Sequence, residues 1–165
     1  MNQYTFRKAK EEEVPQVFQL VLERMRWMDE RGIWQWNVTD YDKDYPPSYY
    51  EKRRRRGELF VLEDAAGRLV CAAVLKERDA RWSDDSPAIY LHNFVARAGE
   101  SGAGGAFLRL AEEYALEKGK AYLRLDAAED NAALAEYYES RGFSEAGRCR
   151  DGLYKGILRQ KRLTG

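Results

Sequence analysis

The chain has 165 residues, with 28 Lys plus Arg against 28 Asp plus Glu and a formal net charge of zero. That length suits one domain spanning 1–165 with a sizeable core, and the balanced charge gives no global field to gather nucleic acid or an anionic membrane surface. Cys71 and Cys149 lie far apart without metal-ligand spacing, so no metal is expected. The N-terminal MNQYTFRKAK lacks an apolar signal core, and no run approaches the roughly 18 residues of a bilayer span, so a cytoplasmic protein with reduced thiols is expected.

In chain order, residues 3–7 read as a short edge strand. Apolar residues at Val14, Val17, Phe18, Val21, Leu22, Met25 and Met28 mark one buried face of a helix over about 11–31, ended by Gly32. Trp34 and Trp36 follow in GIWQWN and either pack on the core or wall a substrate pocket. In PPSYYEKRRRRG, Ser48 and Glu51 have the spacing of a capping box and Gly57 ends a short helix. Residues 53–56, four arginines, point around that helix in several directions and read as a solvated end. Segments 58–63 and 69–76 read as a hairpin across DAAGR, and the second, apolar on both faces, should be central.

A charged loop over 77–87 leads to a strand, AIYLHNFV, over 88–95. Then come Gly99, Gly102, Gly104 and Gly105 and an amphipathic helix that ends at Gly119. Glycines ahead of a helix N-terminus make a nest of backbone N–H groups suited to phosphate, or simply a tight turn. A strand over 121–128, a helix over about 132–141 capped by Asp130 or Asn131 and ended by Gly142, and strands over 143–150 and 153–163 complete the chain. The pattern predicts a mixed α/β (α+β) fold: a central, mostly antiparallel twisted sheet of about six to seven strands with helices on both faces.

Two stretches together, YLHNFVARAGESGAGGAFLRLAEEYALEKG and LRLDAAEDNAALAEYYESRGF, resemble the core motifs of the GNAT acetyltransferase superfamily. The first is similar to that family's acetyl-CoA loop and the second to its strand, Asn-led helix and closing Tyr-x-x-x-Gly-Phe, and with the flanking elements the resemblance covers nearly the whole chain. One departure is visible: the position usually held by Arg or Gln is Gly99, which removes a side-chain contact and leaves the backbone amides.

The resemblance implies an N-acetyltransferase that moves the acetyl group of acetyl-CoA to a primary amine of a small molecule or peptide, through a tetrahedral intermediate. It places the cofactor on Phe94, Val95, Ala96, Ser101, Gly102, Ala103, Gly104, Gly105, Asn131 and Tyr138. In the family, N–H groups at a bulge in the strand before the loop polarise the thioester oxygen, here within Phe94, Val95 and Ala96, and Tyr138 is the acid for the departing thiolate. An amine with a pKa near ~10 must also lose a proton, so a base is required. His92, the chain's single histidine, stands on that strand and by alternation shares a face with Phe94. Glu77 and Asp79 are rival bases acting through water. Asp126 either holds a substrate ammonium or pairs with Arg124, and Asn131 is either a cofactor contact or a plain helix cap. Trp34, Trp36 and Glu77 are the other substrate-binding candidates. With Trp27, Tyr41, Tyr45, Tyr49 and Trp82 nearby in sequence, a partly apolar acceptor or a cation held on ring faces is expected. A non-catalytic acetyl-CoA sensor is the alternative, and an edge strand near the C-terminus makes a homodimer conceivable.

Overall fold

The elements follow the periodicity closely in the structure, a computed structural model that describes residues 3–33 and 40–164. In order they are β1 (Thr5–Lys8), a 3-10 turn (Glu11–Glu13), α1 (Val14–Glu30), α2 (Tyr41–Asp44), α3 (Pro47–Arg55), β2 (Leu59–Glu63) and β3 (Leu69–Lys76). Then come β4 (Ala88–Ala96), α4 (Ala103–Glu117), β5 (Tyr122–Ala128), α5 (Ala132–Ser140), β6 (Ser144–Asp151) and β7 (Tyr154–Arg162). The strands form a seven-stranded sheet in the order β1-β2-β3-β4-β5-β7-β6. The β4–β5 pair is parallel, and β1–β2, β2–β3, β5–β7 and β6–β7 are antiparallel, so the sheet is mixed and mostly antiparallel.

Two compact units are distinguished. The first comprises Met1–Leu75 with Asn93–Leu110. Its core joins Val14, Val17, Leu20 and Val21 of α1 to Leu59, Val61, Ala72, Val74 and Val95. Phe107 of α4, fully buried, meets Phe6 at 5.3 Å and Phe94 at 5.4 Å between ring centroids. The acidic first turn has a use beyond the helix dipole: Glu13 accepts both Arg7 Nη1 and Nη2, at 2.8 and 2.7 Å, and the backbone N–H of Lys10. Those bonds, with Arg7 behind the strongest, hold the Glu13 carboxyl below the usual carboxylate range despite its burial.

The start of α3 differs from expectation. Pro46 is the N-cap with Pro47 behind it, Ser48 lies inside the helix, and Glu51 pairs with Arg54. A proline at N1 has its missing N–H among the helix's orphan donors anyway, so it competes well with a serine cap. Nor are all four arginines solvated. Arg53 is buried and donates to Glu58 at 2.9 Å, while Arg55 and Arg56 stay exposed.

The second unit comprises Lys76–His92 with Ala111–Gly165. Asn131 is the N-cap of α5, its side chain accepting from Leu134 N–H at 3.0 Å, and Gly142 takes φ +91° at the far end, where Phe143 N–H reaches back to Tyr138 O. The loop before β4 is fastened by Arg124 of β5. Its Nη1 and Nη2 donate to Asp84 at 2.6 and 2.9 Å, Nε donates to Gln160 at 2.9 Å, and its guanidinium lies 4.2 Å from the Trp82 ring centre. Arg124, with Ser86, holds the Asp84 carboxyl at about 2. The unfolded value is ~3.9, so this pairing contributes fully above about pH 4 and is lost as pH falls through 2. Asp84→Asn should therefore flatten the acid limb of stability between about pH 4 and pH 2, read from urea melts at several pH values. An unchanged acid limb in the variant would show that the pair carries none of it.

Candidate active site

β4 holds its parallel ladder with β5 over Ala88–Tyr90 against Tyr122–Arg124, and His92 and Asp126 each stand two residues further along their strands. Both are half-buried at residue level, and around them the second unit gathers a polar cluster. His92 Nε2 lies 2.9 Å from Asp79 Oδ2. The approach falls short of an aligned N–H hydrogen bond, and the contact becomes an ion pair only when the ring is protonated. Burial alone would raise the Asp79 carboxyl. His92, the Arg81 backbone N–H at 3.0 Å and the Arg81 charge outweigh it, so Asp79 titrates below the usual range and is ionised at neutral pH.

Asp126 is engaged by other partners than Arg124. Arg81 Nη1 donates to its Oδ1 at 3.0 Å and Tyr154 Oη to its Oδ2 at 2.6 Å. Arg124 is spent on Asp84, so the pairing of Asp126 with its near neighbour on β5 is replaced by one with the loop before β4. Gly156 of β7 makes room for this network, since a Cβ there would lie 2.7 Å from Tyr154 Oη and 2.9 Å from Cys149 Sγ. Burial, reinforced by the Asp126 charge, pushes the Cys149 thiol up to about 11 and raises the Tyr154 phenol as well. Ligand atoms of Asp79, His92 and Asp126 all lie within 4.8 Å of one another. A cation there would have to compete with the Arg81 guanidinium, which already brings a positive charge to Asp126.

Tyr138 of α5 is buried and packs edge-on against Phe143 at 5.6 Å. Burial, and after it Tyr137 and Asp126, raises its phenol, against the opposing pull of Arg141 and Arg159. The group therefore stays protonated at neutral pH, as an acid must. Glu77, another candidate, pairs with Lys120 at 2.9 Å and is 58% exposed.

In the first unit, Asn93 takes φ +55° inside β4, in the left-handed region that few non-glycine residues adopt. Face alternation cannot be counted through such a residue, so the shared face of His92 and Phe94 expected from the sequence does not follow. Beyond the strand, Arg97 N–H bonds Val70 O at 2.8 Å, and its guanidinium turns back to Leu69 O at 2.9 Å. Gly99 and Gly102 have φ +81° and +85°, and a Cβ at either would meet nothing within 4 Å, so glycine is needed for the backbone and the space over it is open. The first α-type bond of the helix runs from Ala106 N–H to Gly102 O, which puts the N–H groups of Ala103, Gly104 and Gly105 ahead of it. Open space above such amides, at the positive end of α4, fits a pyrophosphate.

The aromatic expectation changes. Tyr41, Tyr45 and Tyr49 meet in turn, tilted and then edge-on, with ring centroids 4.8 Å apart, Trp82 lies on Arg124, and Trp27 is flanked by Arg24 and Arg31 at 4.6 and 4.4 Å. These rings pack against protein. Trp34 and Trp36 lie outside the described residues. Among those described, no helix is long and apolar enough to cross a membrane.

The frame of the site is thus a mixed sheet whose β4–β5 pair is parallel, with a glycine-rich turn opening α4. The model of the acetyltransferase (GNAT) family matches residues 21–143, and the chain belongs to that family. An acetyltransferase of the GNAT family from Listeria monocytogenes 4b F2365 is 25% identical, with 97% of this chain and 95% of that chain covered and a TM-score of 0.79. The PaiA N-acetyltransferase from Thermoplasma acidophilum, solved in complex with coenzyme A, is 18% identical over 97% of this chain and 99% of its own, with a TM-score of 0.75. The ribosomal-protein-S18-alanine N-acetyltransferase from Escherichia coli is 19% identical over 99% and 96%, with a TM-score of 0.68. No curated protein matches by sequence. The protein is thus an acyltransferase, and acetyl-CoA is its acyl donor.

Proposed function

We propose that the protein transfers the acetyl group of acetyl-CoA to a primary amine of a small molecule or peptide by direct attack, through a tetrahedral intermediate. The observation that carries this reading is the Asp79–His92 pair, in which the chain's single histidine meets a carboxylate held ionised in a half-buried cluster. Asp79 occupies the Nε2 side of the ring, which leaves Nδ1 as the atom that takes a proton, either from the amine or from a water next to it. Asp79 also stabilises the imidazolium that results, the role of the third group in a nucleophile–base–orienter set.

The donor supplies an activated acyl group. Around it, the N–H groups of Ala103, Gly104 and Gly105, with Ser101 and Gly102, hold the phosphates. The backbone of Phe94, Val95 and Ala96 binds the chain that carries the acetyl group and polarises its carbonyl. Tyr138 would give the departing sulfur a proton and regain one from solvent, while the proton taken from the amine leaves by way of His92. Asn131 acts here as the cap that fixes the start of α5 and so the placement of Tyr138. Asp126, neutralised by Arg81, orients the cluster and offers little unpaired charge to an ammonium. Glu77, Trp34 and Trp36 remain the candidates for the acceptor's far end.

A thiol-release assay with acetyl-CoA against amino acids, peptides with free N-termini, arylalkylamines and polyamines tests this. Turnover with one acceptor class is the expected result. If acetyl-CoA raises the melting temperature but no amine on the panel is acetylated, either the acceptor class lies outside the panel or the protein is a sensor of acetyl-CoA.

A further inference from the structure

A non-glycine residue at φ +55° in the middle of a strand is held there against its own preference, and Asn93 is held by its side chain. Tyr49 Oη donates to Asn93 Oδ1 at 2.8 Å, and Asn93 Nδ2 donates to Tyr41 Oη at 2.6 Å, so both ends of the carboxamide are gripped. Tyr41 opens α2 and Tyr49 lies in α3, and with Tyr45 between them their rings form one continuous run of tilted and edge-on contacts. Tyr41 is buried, which raises its phenol well above the usual value and keeps the hydroxyl intact at any physiological pH. Asparagine suits this place for two reasons. It tolerates the left-handed region better than most residues, and its amide offers a donor and an acceptor to two hydroxyls at once. Glycine would accept the angle but give the tyrosines nothing to grip.

We propose that Asn93 is a positioning residue for acetyl transfer. The Tyr41–Asn93–Tyr49 clamp fixes the left-handed turn of β4 and with it the direction of the Phe94 and Val95 N–H groups. This rests on the function proposed above, in which those groups polarise the acetyl carbonyl. A change in the sign of φ rotates the peptide plane that follows, so the angle at Asn93 decides where the next amide points. Donors of this kind help only if they are already aimed when charge develops, because a backbone free to swing would have to be reorganised during the reaction. Helices α2 and α3 thus serve the chemistry by holding the strand, without touching the acceptor.

The test compares Tyr41→Phe, Tyr49→Phe, Asn93→Gly and the combination Asn93→Gly with Tyr49→Phe. The readouts are kcat, KM for acetyl-CoA and amide hydrogen exchange at Phe94 and Val95. Each single variant should lower kcat about tenfold with KM within about twofold, the mark of a contact realised in the transition state. Exchange at the two amides should quicken in all of them. In the Asn93→Gly background, Tyr49→Phe should cost no more than about a further twofold, since nothing is left to grip. A full tenfold loss there would mean that Tyr49 acts on a substrate directly and would overturn the proposal, as would unchanged exchange in Asn93→Gly. Exchange needs no acceptor. Quickened exchange in variants of a protein whose wild type acetylates no amine would therefore overturn the enzyme reading while upholding the clamp.

Discussion

His92→Ala is expected to lower kcat/KM by about 10²–10³-fold while leaving the affinity for acetyl-CoA within about twofold. The affinity should hold because the donor's proposed contacts are the backbone N–H groups of the glycine-rich turn, whereas His92 acts on the acceptor's proton. The size follows from the proton that must be removed. An alkylammonium with a pKa near ~10 is deprotonated in about one molecule in 10³ at neutral pH, so an enzyme without a base works with that fraction. Asp79→Asn should cost less, about tenfold, since the ring remains and only its orientation and the stabilised imidazolium suffer. Measuring kcat/KM against pH separates these cases. The part of the profile owed to His92 should vanish in His92→Ala and persist, displaced, in Asp79→Asn. A loss confined to Glu77→Gln, with His92→Ala near wild type, would make Glu77 the base despite its ion pair with Lys120.

The fold was legible wherever a periodic signal met a well-marked end. The apolar run of β3, the glycine after α5 and the hairpin across DAAGR each combine a pattern with a turn residue that only one geometry satisfies. α2 and the true cap of α3 were not legible, because two prolines in series outcompeted a serine whose spacing looked right. The candidate site divides in the same way. Glycine before a helix and a lone histidine on a strand are local facts and could be found. Arg81, Tyr154 and Gly156 were missed because their roles exist only once β5 and β7 are side by side: Ala128 faces Gly156 across that ladder and Asp126 faces Leu158. An arginine in a charged loop carries no local mark of which carboxylate it will meet. Asn93 left a trace that could have been followed, since an asparagine inside an apolar strand ahead of the glycine turn is the residue type that tolerates positive φ. Nothing in its neighbourhood in sequence pointed to Tyr41 and Tyr49, 52 and 44 residues earlier.

Tyr138→Phe should lower kcat by about 10²-fold, and the size of that loss should depend on the leaving thiol. Burial keeps the phenol protonated, so it can serve as an acid throughout the neutral range. The gain from an acid is bounded by how much the departing group needs a proton. A thiol's pKa of ~8.5 makes its anion a tolerable leaving group in water, so the loss should stop well short of the 10⁴-fold that a poorer leaving group would show. An acyl donor built on a more acidic thiol needs the proton less. With such a donor the deficit of Tyr138→Phe should shrink toward wild type, and with a less acidic thiol it should grow. The phenylalanine ring preserves the packing on Phe143 and Tyr137, so the melting temperature should change little and the comparison should read chemistry. A deficit that stays constant across donors would assign Tyr138 to holding the donor in place, and the proton for the sulfur would have to come from water or from another group of the α5–β7 unit.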